Sequence, residues 1–81
     1  MKQIKSINDL KEGTKLLWEL ADKRAKIHGK YCIVTVAEIN EKEIYLQFPS
    51  KIQKNLQYMD LHSIKVNAQI ITLDEDPEFF L

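Results

Sequence analysis

His28, Cys32 and His62 are the side chains of this 81-residue chain that bind transition metals most readily. A zinc site takes three or four ligands, usually in CxxC-like clusters. His28 and Cys32 stand four apart with no such cluster around them, and His62 lies elsewhere, so no metal is expected. Asp60, His62 and Ser63 supply the residue types of a hydrolase relay. If they share one extended strand, neighbours point to opposite faces and no relay forms. Gly13 and Gly29 are isolated, so there is no glycine-rich loop to cradle phosphate. Cys32 alternates within an apolar run, as a small packed residue does rather than a reactive thiol. No paired carboxylates define an acid–base geometry. Catalytic residues and cofactors are therefore not expected, and the chain reads as a non-enzyme.

Two segments have the chemistry of binding surfaces instead. The first is basic: Lys23, Arg24, Lys26 and Lys30, with His28 inside it and Tyr31 at its edge. Such a patch attracts nucleic acid or an acidic partner, although four charges are few for DNA binding at physiological salt. The second is the C-terminal run, in which Asp74, Glu75, Asp76 and Glu78 precede Phe79, Phe80 and Leu81. Acidic-then-aromatic tails resemble docking peptides, which combine charge steering with an apolar anchor. The competing readings are a solvated basic loop, and phenylalanines that fold back to cover an open end of the core.

The elements that carry these segments follow from composition and periodicity. Twelve Lys and Arg balance twelve Asp and Glu, with 44% hydrophobic and 30% charged residues. This excludes a basic packing protein, a collagen-like chain and a wholly disordered one. The zero is a sum, because residues 1–30 hold eight basic and four acidic groups and residues 31–81 hold four and eight. No apolar run approaches the ~20 residues of a membrane span, and MKQIKSINDLKEG has no signal-peptide apolar stretch. A lone cysteine without an internal disulfide points to the cytoplasm. The ratio of eleven Lys to one Arg reports AT-rich coding and counts mildly against bidentate phosphate recognition. A single domain, residues 1–81, is expected, with a thin stability margin that homo-oligomerisation would relieve.

Tyr31 to Ile39 is rich in β-branched and aromatic residues, and residues 43–48 alternate Ile44, Leu46 and Phe48 with polar neighbours. Joined by Asn40-Glu41-Lys42 they predict a β-hairpin, which Pro49 ends. Ile64, Val66, Ala68 and Ile70 alternate as in a strand running to about Leu73. Ser50 is placed to cap a helical turn carrying Ile52 and Leu56, and residues 58–61 read as extended. Two readings compete for the first third. Local propensity favours one helix over residues 15–28, with Gly29 as its cap. The alternative is a short helix from Ser6 to Glu12 with capping-box-like Ser6 and Asp9, then a strand over 14–20 and a basic loop over 21–30.

Taken together, LKEGTKLLW, YCIVTVAEI, EIYLQFP and LQYMDLHSIK resemble the four successive strands of a small SH3-type barrel of the Tudor, chromo-barrel and Agenet kind. The resemblance covers roughly residues 10–65 and is a pattern of apolar spacing. The Asp-aromatic-Gly step that often follows the third Tudor strand is replaced by Pro49-Ser50-Lys51. The resemblance implies a mostly β small barrel with a short N-terminal helix; the other fold is α+β, one long helix on a three-stranded antiparallel sheet. It also places Tyr31 and Phe48 near the positions of an aromatic cage, to which Trp18, Tyr45 and Tyr58 would add if they converge. The functional expectation is a cytoplasmic, non-enzymatic module, accessory or phage-borne, that binds and modulates a larger protein through its basic, aromatic (Trp18, Tyr31, Tyr45, Tyr58) or tail residues. A nucleic-acid-binding barrel and a nucleotide-binding protein are the alternatives.

Overall fold

Alternating apolar residues decide the centre of the molecule. In the computed structural model, which describes residues 1–81, Lys15–Glu19 forms a strand, β1. Local propensity favours helix here by less than ~1 kcal/mol per residue. Burying Leu16 and Trp18 on one face is worth about 1.5–3 kcal/mol each, and both side chains are buried. β1 is also paired along both sides, antiparallel to Tyr31–Asn40 (β2) and to Ala68–Ile71 (β5). The long helix over 15–28 is therefore overturned. The basic loop is overturned as well, because Asp22–His28 forms a helix, α1. It ends at Gly29, whose φ of 94° suits a residue without Cβ and whose N–H donates to Ala25 O. Each competing reading of this region holds for half of it.

The hairpin of β2 and Glu43–Gln47 (β3) forms as the alternation predicts. It contains one device that the alternation hides. A register shift between Val36 and Glu38 adds a residue to β2. Strict period two would send Ile39 to the face opposite Val34 and Val36. The bulge reverses the parity, so Ile39 pairs with Ile44 and packs on the core. Beyond Phe48, the Pro49 carbonyl accepts from the N–H groups of Ile52 and Gln53, making a single turn that starts at Pro49 and carries Ile52 but not Leu56, in place of the expected Ser50-capped helical turn carrying both. Gln57–Met59 (β4) then pairs with β3.

The expected strand over 64–73 begins late. Leu61–Asn67 is a helix, α2, capped by Asp60, whose Oδ1 accepts from the Ser63 N–H at 2.8 Å. Ile64 is fully buried and Leu61 packs beside it on the core, the i, i+3 spacing of one helix face, while Val66 points to solvent. The strand period starts at Ala68. The apparent run Ile64, Val66, Ala68, Ile70 is thus one buried helix residue, one exposed helix residue and the inward positions of a strand.

The sheet has the order β4-β3-β2-β1-β5, all pairings antiparallel. It is open, with β4 and β5 as its edges. The expected N-terminal helix is one 3-10 turn, Ile7–Asp9, with the Ser6–Asp9 capping box present. It stops early because Leu10 is extended and enters the core. Trp18 meets Phe48 edge-on inside, with ring centroids 5.3 Å apart. Replacing Trp18 by Ala is expected to cost about 3–5 kcal/mol, a large part of the ~4–12 kcal/mol that a chain of this size holds. A urea melt measures it; a loss below ~1 kcal/mol would contradict the packing described.

Candidate functional site

The N-terminal segment lies along the free edge of β5. The Lys2 N–H donates to Ile70 O and the Ile70 N–H to Lys2 O, at 2.9 and 2.8 Å. The segment then bends through the 3-10 turn, where Asp9 Oδ2 accepts from the N–H groups of Lys5 and Ser6. Buried Leu10 anchors it, and the Lys11–Thr14 turn delivers it to β1, with the Lys11 N–H donating to Thr14 Oγ1. Gly13, at φ 94°, donates its N–H to Val36 O.

The chain's other end closes against this segment through Asp76. Its side chain accepts from the Met1 amine at 2.8 Å and from the Thr72 N–H at 3.2 Å. Asp76 is 5% exposed, the one charged residue in the buried set. The Asp76 carboxyl is held below its usual range, chiefly by the hydrogen bond from the amine. The same bond raises the Met1 amine above its usual value. Lys2 and Glu75 meet nearby at 3.6 Å. The opposite net charges of the two ends are thus joined in space.

Between these ends lies an open groove of about 830 Å³. Lys2, Lys5, Lys11 and Lys15 line it against only Asp9 and Glu12, a net of +2. Its apolar lining comes from Ile70, Ile71, Leu73 and Phe80. Leu73 is 64% exposed, while Ile71 is buried and Phe80 half-buried.

The residues singled out in the sequence are distributed differently. Lys23, Arg24, Lys26 and Lys30 are all exposed on or just beyond α1. Lys30 lies 3.9 Å from Glu19 and 5.4 Å from the centre of the Tyr31 ring. The four aromatic residues do not share a surface. Trp18 is 5% exposed and belongs to the core, as does Phe48. Tyr45 and Tyr58 pair across β3 and β4 at 5.8 Å, with the Tyr45 hydroxyl donating to Glu43 and thereby raised in pKa. Tyr31 opens β2, whereas Tyr45 pairs with Glu38, seven residues along the same strand. At ~3.3 Å per residue that is about 20 Å, too far for one cage. In the tail, Asp74, Glu75 and Glu78 are exposed, Phe79 and Phe80 are half-buried, and Asp76 is committed to the fold.

Asp60, His62 and Ser63 sit at the start of α2 rather than on a strand. The Ser63 N–H holds the Asp60 carboxyl below its usual range, so that group acts as a helix cap. Burial pushes the Cys32 thiol up, away from the nucleophilic thiolate. No three His, Cys, Asp or Glu side chains come together as a metal site. No helix is long and apolar enough to cross a membrane. Comparison of the chain with protein-family models, curated proteins and solved structures finds no match.

Sequence reading passed over Lys5, Lys11, Lys15 and Leu73. The lysines belong to the basic excess of residues 1–30 but are scattered along it, and only the fold gathers them. The Asp76–amine pair carries its own prediction. Asp76 contributes stability above the ordinary carboxylate range and loses it as pH falls through its depressed pKa; the amine contributes below pH 8.0 and loses it as pH rises through its raised pKa. Asp76→Asn should lower Tm between those limits by more than Asp74→Asn, and flatten the pH dependence of Tm followed by circular dichroism.

Proposed function

We propose that the protein is a non-enzymatic module of the small SH3/Tudor-like kind, which binds a larger partner protein through the face that carries the groove. The strand order, with a helix between β4 and β5, supports the small-barrel reading. Its departure from a closed barrel is that β4 and β5 do not pair with each other and stand as the two edges of the sheet. The observation that carries the function is the groove itself: exposed apolar atoms of Leu73 and Phe80 beside unpaired lysines, at one site built by both chain ends. Sites that join an apolar anchor point to a polar, charged rim are the usual anatomy of protein recognition. The lone thiol of Cys32 suits a reducing cytoplasm, and an accessory role suits a chain of this size.

Random-peptide display on the immobilised 81-residue protein tests the proposal. A recurring peptide pattern should be enriched, and its binding should be lost in Leu73→Asp, a substitution at an exposed position that leaves the fold intact. Absence of enrichment, or enriched peptides indifferent to Leu73→Asp, would contradict it.

A second reading rests on the exposure of Lys23, Arg24 and Lys26 on one short helix, where they form a nucleic-acid contact. It requires DNA retention whose log–log salt slope is about −3 and which vanishes when the three are changed to Glu. Retention at physiological salt with that behaviour would favour this reading over the first.

A further inference from the structure

From the chemistry of the groove we infer that its occupant is an acidic peptide with an apolar anchor, an inference that rests on the protein-binding reading above. The ion pairs of the chain are Met1–Asp76, Lys2–Glu75 and Lys30–Glu19. Lys5 and Lys11, both exposed, therefore face the groove without a carboxylate partner. The Asp9 carboxylate beside them is already engaged by two backbone N–H groups. The hydroxyls of Thr14 and Thr72, also on the groove wall, accept from the N–H groups of Lys11 and Glu75. The groove thus leaves the Lys5 and Lys11 ammonium ions and the apolar atoms of Leu73 and Phe80 unanswered, with the exposed Glu12 as its one carboxylate without a partner. A ligand that answers both carries anions and an apolar side chain together.

A peptide fits this better than a nucleic-acid backbone. Asp9 and Glu12 interrupt the lysines, so a continuous row of phosphates would meet carboxylates as well as cations. A peptide can place Asp or Glu side chains opposite Lys5 and Lys11 and its apolar residue over Leu73. The groove is open, so it covers one side of a chain rather than enclosing a small molecule, which typically loses most of its surface on binding. The protein's own acidic tail does not meet the description in place, since Asp76 and Glu75 are paired within the fold.

Fluorescence anisotropy with the 81-residue protein tests this, using a short fluorescein-labelled peptide rich in Asp and Glu with a central Phe. The peptide should bind at low salt, and binding should weaken as salt rises. The double variant Lys5→Glu/Lys11→Glu should lose roughly tenfold or more in affinity. Lys51→Glu/Lys54→Glu, the same charge change at exposed sites outside the groove, should stay within about twofold of wild type. Changing the peptide's Phe to Ser should also weaken binding. Melting curves of both variants establish that they fold. Equal losses in the two double variants would overturn the inference as a net-charge effect. So would equal binding of a Lys-rich peptide with the same Phe, or competition by an oligonucleotide that is lost in Lys5→Glu/Lys11→Glu. If display-selected peptides depend on Leu73 but not on acidic residues, the protein-binding reading stands and this inference falls.

Discussion

Pairing of β1 along both of its edges is the constraint on which the rest of the molecule depends. With β2 on one side and β5 on the other, Leu16 and Trp18 are pinned to the interior, where Trp18 meets Phe48. A chain of this length buries only about 60–65% of its unfolded surface, so a central strand that satisfies two ladders and supplies the largest core side chain has no substitute nearby. Were residues 15–28 one helix, β5 would lose its neighbour and Trp18 its place.

The groove is a consequence of that pairing. Because β5 is held by β1, its outer edge is free to take Lys2, and its end delivers Thr72 to the Asp76 carboxylate. Asp76 then binds the Met1 amine, so a charged side chain is buried with its partners satisfied rather than alone. The same fold that brings opposite charges together at Asp76 and Glu75 leaves Lys5 and Lys11 unanswered a short distance along the chain. Asp76 and Glu75 of the tail are tied to the N-terminal segment, and Lys5 and Lys11 of that segment stay exposed beside them.

Much of the sheet was legible in the sequence. The hairpin of β2 and β3 follows from β-branched content, alternation and Pro49, and the Ser6–Asp9 capping box was visible from its spacing. The misreadings have physical causes. A period of two cannot reveal a bulge, so the inward turn of Ile39 needed the register itself. Ile64 and Val66 imitate a strand because Val66, an exposed apolar residue of the helix, falls two positions after buried Ile64 and two before Ala68; the Asp60 cap on the Ser63 N–H is what distinguishes the helix. Residues 15–30 combine a strand set by tertiary pairing with a helix set by local propensity, and no single window contains both influences. The groove proposed as a binding surface was the least legible part. The charges of residues 23–30 are clustered in sequence, whereas Lys5, Lys11 and Leu73 lie far apart in sequence and line one groove only in the fold.

The groove formed by the two chain ends is the place proposed for a bound partner. Backbone amide chemical-shift mapping of the isotopically labelled protein, with the acidic Phe peptide added, locates binding directly. The account predicts shifts concentrated at Lys5, Lys11, Thr14, Ile71 and Leu73. Shifts concentrated instead on Lys23 to Lys26 of α1, or around Tyr45 and Tyr58, would contradict it.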